Sequence, residues 1–302
     1  MILFKPFNLT DYADCLVVTD ERLASLYKIS GDNVYLLPEG ESAKRFAEAE
    51  KLCQWFLSRN LNRDGKVAAI GGGSVGDTVG FACSVYKRGG VKLVNVPTTL
   101  IAQIDSGIGG KTALNVGNVK NAVGSFYDAD TVIDVNFLKT LDGIQIKSGL
   151  GELLKYRMLS REIDSAYNGE ITERVIKLCA EYKQSVCSAD PYDRNVRKKL
   201  NFGHTVGHAM ELVLNVAHGY AVANGIYYET KLAYLLGKCD RAYCGKWTGE
   251  VAKLFDIYPL DESMLRLTAA DKKNAGASVC FMLPDGFGET YLTVDKAVEL
   301  LC

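Results

Sequence analysis

Residues 66–86 read KVAAIGGGSVGDTVGFACSVY, and the fold turns on them. Lys66–Ile70 is a short apolar run, three glycines follow, and Ser74–Tyr86 reads as a helix. That order predicts a strand, a tight turn and a helix. Glycine in such a turn lets the backbone approach a ligand closely, and the helix N-terminus offers unpaired N–H groups and partial positive charge. Gly71, Gly72 and Gly73 therefore outline a pyrophosphate site. Position 76 is also glycine, but the acidic ribose partner of the dinucleotide fingerprint, expected about twenty residues on, is missing. A plain βα turn, with Asp77 favouring the helix dipole, suits the same residues.

Working outward, Cys15–Thr19, Asn33–Leu37, Val91–Val96 and Thr131–Asp134 are further strand-like runs. Ser42–Asn60 reads as an amphipathic helix, with Phe46, Ala49, Leu52, Cys53, Phe56 and Leu57 at three- and four-residue spacings. Alternating strands and helices imply a parallel sheet flanked by helices. From Ser148 to Leu236 the text is nearly all helical, and Phe281–Pro284 is an isolated strand-like run. The expected class is α/β: an N-terminal Rossmann-like parallel-sheet domain over 1–143, then a mainly α-helical domain over 144–302. The division falls in the polar stretch Asp142–Lys147.

Composition narrows the function classes. At 302 residues the chain has room for two domains and a substantial core. Lys+Arg 35 against Asp+Glu 36 leaves a net charge of −1, which gives no case for nucleic acid or an anionic membrane surface. No apolar run approaches the roughly 18 residues of a spanning helix, and the opening MILFKP lacks a signal-peptide pattern. The nine cysteines are odd in number and form no Cys-x-x-Cys pair, as expected of reduced thiols in a cytoplasmic protein.

The three histidines, His204, His208 and His218, fall in one 15-residue window. His204 and His208 stand at i,i+4, so one helix face could present both to a metal, with His218 as a third candidate. Other polar groups are ambiguous singly. Thr98 and Thr99 after a strand suit ribose, phosphate or a helix cap. The glycine-rich run Asp105–Lys111, with Lys120-Asn121 beyond it, suits an anion or a surface loop. Glu152 and Lys155 at i,i+3 suit a helix-surface ion pair. Lys183 and Arg197 suit an anionic substrate or a solvated face.

Taken together, six segments in order resemble the dehydroquinate synthase family of sugar-phosphate cyclases: 38–44 (PEGESAK), 71–77 (GGGSVGD), 96–112 (VPTTLIAQIDSGIGGKT), 120–127 (KNAVGSFY), 148–156 (SGLGELLKY), and 200–211 (LNFGHTVGHAME) with 218–225 (HGYAVANG). The resemblance implies NAD and a divalent metal, zinc or cobalt, as cofactors. It implies metal ligation by Glu152, His204 and His218, which sets His208 aside as a ligand. It implies an NAD site lined by Asp20, Glu41, Lys44, Gly72, Gly73, Asp77, Thr98 and Thr99. Catalytic roles fall to Asp105, Lys111, Lys155, Arg197, Asn201 and His208, and substrate binding to Arg88, Lys120, Asn121, Lys183 and Lys272. Arg88 resembles the arginine that reaches a neighbouring subunit's substrate, which implies a homodimer.

The implied chemistry is conversion of 3-deoxy-D-arabino-heptulosonate 7-phosphate to 3-dehydroquinate and phosphate in the shikimate pathway, with NAD recycled. Arg157 stands where the family commonly has glycine, and Tyr220 where glutamate is usual. Rival readings are a cyclase for a sugar phosphate lacking a carboxylate, such as 2-deoxy-scyllo-inosose synthase, a polyol dehydrogenase, and an inactive relative.

Overall fold

The structure is a computed structural model of the chain and describes residues 1–268, 278–284 and 286–302. The strands are β1 (Ile2–Phe4), β2 (Leu16–Asp20), β3 (Val34–Leu37), β4 (Lys66–Gly71), β5 (Lys92–Pro97), β6 (Lys111–Val116), β7 (Val119–Phe126), β8 (Ala129–Ile133), β9 (Ser278–Leu283) and β10 (Gly288–Thr293). The α-helices are α1 (Glu21–Tyr27), α2 (Phe46–Ser58), α3 (Gly73–Val85), α4 (Gly143–Leu159), α5 (Arg161–Ala166), α6 (Glu173–Ala189), α7 (His204–Leu214), α8 (His218–Leu235), α9 (Arg241–Leu254), α10 (Glu262–Thr268) and α11 (Val294–Leu301).

The chain divides into two compact units, residues 1–142 with 172–188, and residues 143–171 with 189–302. A single division after residue 143 would leave α6 with the second unit; the compact units place nearly all of it with the first.

The first unit is built on a six-stranded parallel sheet in the order β1-β8-β5-β4-β2-β3. Both faces of β4 are covered. Val67 and Ala69 pack with Leu52, Phe56 and Val79, while Ala68 and Ile70 pack with Val17, Val96 and Phe137. Burial on both sides is why KVAAI is continuously apolar instead of alternating. Gly71 and Pro97 are register partners at the ends of β4 and β5, as are Asp20 and Leu37 at the ends of β2 and β3.

Two strand pairs depart from the sequence expectation. Beyond the glycine-rich run, β6 and β7 form an antiparallel hairpin around Gly117-Asn118, with Gly117 at φ +57. A two-residue Gly-Asn loop between strand-like runs is a recognised hairpin signal; the polar, largely exposed β7 obscures it. Phe281–Pro284, expected to stand alone, lies mostly in β9, which pairs antiparallel with β10.

The second unit packs its helices closely enough to exclude side chains. A Cβ built on Gly151 of α4 would lie 1.9 Å from the Gly219 carbonyl oxygen, and one on Gly219 of α8 would lie 1.7 Å from the Ser148 carbonyl oxygen. One on Gly225 of α8 would lie 1.8 Å from the Gly203 carbonyl oxygen. The Gly219 N–H also donates to Ser148 Oγ at 2.9 Å. Around these contacts, Leu154, Phe202, Val222 and Ile226 pack with Trp247 and Val251 of α9.

The two departures from the family pattern are absorbed here. Arg157 is buried, pairs with Asp164 and Glu250, and lies over the Tyr167 and Trp247 rings. Tyr220 meets Phe255 edge-on. Among the described residues, no helix is long and apolar enough to cross a membrane.

The glycine contacts make a differential prediction. Gly219→Ala forces a backbone apart and is expected to cost about 3 kcal/mol or more, at the upper end of overpacking. Gly245→Ala, in α9 with nothing within 4 Å of the added methyl, is expected to gain about 0.5–1 kcal/mol from reduced chain entropy. Thermal melting of the two variants beside the parent checks both signs.

Candidate active site

In the first unit, the residues expected to hold NAD lie just past the C-terminal ends of neighbouring strands. Asp20 ends β2 and caps α1, its carboxylate accepting from the Leu23 N–H at 2.8 Å. Burial raises its pKa against that hydrogen bond. Glu41 and Lys44 follow β3, Gly72, Gly73 and Asp77 follow β4, and Thr98 and Thr99 follow β5. Open parallel sheets bind ligands at this edge.

Gly72 is the N-cap of α3 and supplies no side-chain cap. A Cβ there would come within 3.0 Å of Thr99, and one on Gly73 within 3.1 Å of Ser106 Oγ. Thr98 donates its N–H to the Gly71 carbonyl at 3.0 Å, and Thr99 Oγ1 accepts from the Ala102 N–H at 3.2 Å. The buried Asn95 Oδ1, in the cleft beside these glycines, has no hydrogen-bond partner. A bare helix N-terminus, a glycine cradle and an orphaned acceptor fit a dinucleotide.

Lys44 is buried and donates to Asp77 Oδ2 at 2.6 Å and to Asn121 Oδ1. Burial raises the Asp77 pKa, and the Lys44 ammonium opposes that shift. Asp105, on a π-helical turn over Ala102–Ser106, forms a buried ion pair with Lys183 of α6. Lys111 opens β6 and Lys120 lies in β7, both exposed. Arg88 is set apart: it is exposed, at φ +66, past the C-terminal end of α3. That 13-residue helix separates it from the glycine turn by about 20 Å.

In the second unit, Glu152 of α4, His204 at the start of α7 and His218 at the start of α8 present one ligand atom each, all within 4.8 Å of one another. Glu152 Oε1 lies 3.3 Å from His204 Nε2 and 3.0 Å from His218 Nε2. The other ring nitrogens are engaged: His204 Nδ1 with the Phe202 carbonyl at 3.1 Å, and His218 Nδ1 with Glu211 Oε2 at 2.9 Å. With Nδ1–H donating to these acceptors, both Nε2 atoms face the carboxylate, and a metal there would take the Nε2 lone pairs. One carboxylate and two imidazoles suit zinc or cobalt with a coordination position left open.

His208 is outside this triad. Its ring centroid lies 5.3 Å from that of His204, edge-on, and 6.1 Å from that of His218. The buried Lys155 pairs with Glu152 Oε2 at 2.6 Å. Arg197 is buried too, and its guanidinium donates to the Pro191 carbonyl at 2.8 Å. Asn201 is half-buried at the end of the 3-10 turn Val196–Asn201. Lys272 lies outside the described residues.

Electrostatics set the triad's charge. Burial would raise the Glu152 pKa, but Lys155 and then the histidines hold it well below the usual carboxylate range. Burial lowers His204 to about 4 despite Glu152, so it is neutral at pH 7. Burial also acts to lower His218, but hydrogen bonds to two carboxylates, Glu152 and Glu211, outweigh it and hold the ring up to about 10.

Sequence reading overlooked two supporting carboxylates. Glu211 follows His204 at i+7 and His208 at i+3, on the same helical face, a spacing present in the sequence. Glu229 is fully buried on α8 and accepts from the Gly203 N–H at 2.7 Å and the Val206 N–H at 3.1 Å, fixing the first turn of α7 around His204. Nothing local in the sequence ties Glu229 to a turn 26 residues earlier.

Fold and site together define a parallel-sheet α/β unit and a helical unit with a carboxylate–bis-imidazole cluster that could hold a metal. The chain belongs to the 3-dehydroquinate synthase family: the N-terminal family matches residues 34–148 and the C-terminal family residues 147–274. It is 35% identical to the 3-dehydroquinate synthase of Alkaliphilus metalliredigens, over 95% of this chain and 88% of that one. It is 36% identical to that of a Thermoanaerobacter species, over 98% and 89%.

A similar solved structure is a 2-deoxy-scyllo-inosose synthase complexed with carbaglucose-6-phosphate, NAD+ and Co2+, with TM-score 0.85, 25% identity, and coverage of 99% of this chain and 95% of that one. The glycerol dehydrogenase of Schizosaccharomyces pombe shares the fold at TM-score 0.62 and 13% identity, over 97% of this chain and 84% of that one.

The His218 proton bears on metal uptake. A ligand imidazole must be neutral, so metal binding here would expel one proton between about pH 4 and about pH 10. Apparent zinc affinity is expected to rise about tenfold per pH unit, measured between pH 6.5 and 8.5 by competition with a chromophoric chelator. The neutral His204 adds no slope in that range.

Proposed function

We propose that this chain converts 3-deoxy-D-arabino-heptulosonate 7-phosphate to 3-dehydroquinate and inorganic phosphate. The sequence is oxidation at C5, phosphate elimination, re-reduction and intramolecular aldol closure, with NAD returned unchanged. The observation that carries the reading is the triad of Glu152, His204 and His218 in a chain of this family.

When bound, NAD takes hydride from C5 and gives it back, and a divalent cation polarises the adjoining hydroxyls. The protein's own groups bind and orient. Gly72, Gly73 and the first turn of α3 hold the pyrophosphate, and Asp20, Glu41, Lys44, Asp77, Thr98 and Thr99 hold the rest of the dinucleotide. Glu152, His204 and His218 hold the metal, and Glu211 keeps the His218 Nε2 lone pair directed inward. Lys155 keeps Glu152 ionised.

The substrate carries a carboxylate and a phosphate, and Lys111, Lys120, Lys155, Lys183, Arg197 and Lys272 supply the cations that bind them. Asp105, Asn121, Asn201 and His208 orient its hydroxyls. Oxidation at C5 acidifies the neighbouring C–H; that proton leaves as the phosphate ester bond breaks, and the substrate's own phosphate is suited to take it. Arg88, exposed on its turn, serves the substrate phosphate of a second subunit in a homodimer. None of the nine cysteines is in a disulfide among the described residues, which suits a cytoplasmic location.

The purified protein, supplied with the seven-carbon keto-acid phosphate, NAD and zinc, is expected to release phosphate without accumulating NADH. Chelator should abolish release. Glu152→Ala should lower kcat a hundredfold or more, equivalent to about 3 kcal/mol of lost charge stabilisation. Steady NADH formation without phosphate would identify a dehydrogenase instead. Turnover confined to a sugar phosphate lacking a carboxylate would identify a sibling cyclase.

The carboxylate behind His218 gives a second expectation. Glu211→Ala should weaken zinc binding about 10–100-fold, as loss of a partner to a ligand imidazole does. The same chelator competition measures it.

A further inference from the structure

Asn115 belongs to no motif discussed above, yet it stands where the hairpin breaks register. Leu114 pairs with Val123 and Val116 with Val119, leaving Asn115 at the irregularity between them. Bulges of this kind re-aim a side chain out of a regular ladder. All three of its distinctive polar groups are spent on residues with proposed site roles. Its backbone N–H donates to the Lys44 carbonyl at 2.7 Å. Its Nδ2 donates to Glu41 Oε2 at 2.6 Å. Its Oδ1 accepts from the Asn121 N–H at 2.9 Å.

Asn121 is itself held at φ +51 and accepts from Lys44 Nζ through its own side chain. Lys44 passes the circuit on to Asp77 of α3. Glu41, Lys44 and Asp77 are residues assigned above to the cofactor, and Asn121, beside Lys120, to the substrate. One short side chain thus joins the turn after β3 to the strand carrying the substrate residues.

We propose that Asn115 is a positioning residue that ties the cofactor turn at 40–44 to the substrate strand β7, with its Nδ2 serving the cofactor arm and its Oδ1 the substrate arm. The inference rests on the cofactor and substrate roles assigned to Glu41, Lys44 and Asn121 above.

The two arms can be separated in the zinc-loaded protein. NAD affinity is read by quenching of intrinsic fluorescence, and the keto-acid phosphate KM by phosphate release. Asn115→Ala removes both arms and is expected to raise the NAD Kd and the substrate KM each about three- to tenfold, as lost hydrogen bonds of ordinary strength do. Asn115→Asp keeps the acceptor for the Asn121 N–H but loses the donor and faces the Glu41 carboxylate with like charge. It should raise the NAD Kd at least as much as alanine while leaving the substrate KM within twofold of the parent. A general loss of structure would not produce that split. Asn118→Ala, at the exposed hairpin tip, should change neither constant.

If the aspartate variant moves both constants together, or the alanine variant moves neither, the inference fails. Glu41→Ala separates this from the reading beneath it: unchanged NAD affinity there overturns the cofactor assignment. Weakened NAD binding there, with Asn115→Ala silent, overturns the positioning role alone.

Discussion

The candidate metal site exists because three helices touch backbone to backbone. Each ligand is the immediate neighbour of a glycine at such a contact: Glu152 follows Gly151, His204 follows Gly203, and His218 precedes Gly219. With no Cβ between them, α4, α7 and α8 approach closely enough for side chains from three separate helices to meet within 4.8 Å. Gly203 adds a second requirement, since its φ of +80 is a conformation that L side chains rarely adopt. Interiors this tight transmit small displacements, so ligand geometry here is set by main-chain packing more than by rotamer choice.

A buried carboxylate needs compensation, and the site supplies it from several directions. Lys155 lies one turn along the same helix and pairs with one Glu152 oxygen, leaving the other to the two imidazoles. Glu211 and the Phe202 carbonyl orient those rings from behind. Glu229 holds the start of α7 through backbone N–H groups that a helix would otherwise leave unpaired. Support comes from largely buried charged side chains and from main-chain atoms at the helix ends, an arrangement that keeps a ligand set preorganised.

Legibility in the sequence followed the range of the interactions. The parallel sheet was readable because burial on both faces makes KVAAI uniformly apolar and the glycines after it mark the turn. The i,i+4 pair His204 and His208 suggested a shared metal, but the triad takes its other members from α4 and α8, and only the family pattern pointed there. The β6–β7 hairpin had a local signal in Gly117-Asn118 that its polar outer strand masked. Glu229 and Asn115 were silent because their partners lie elsewhere in the chain, Glu229 capping a turn 26 residues away and Asn115 reaching Glu41 74 residues back.

The discontinuity of the first unit bears on how the chain matures. Asp105 is buried, and its cationic partner Lys183 comes 78 residues later, on a helix that follows α4 and α5 of the other unit. During synthesis from the N-terminus, the six-stranded sheet is complete once residue 133 has emerged, yet the Lys183 ammonium that pairs with this carboxylate has still to be made. A buried carboxylate short of its ion-pair partner costs enough to keep its surroundings open. The sheet of the first unit is therefore made early and the surroundings of Asp105 are closed late, after α4 and α5 of the helical unit have left the ribosome.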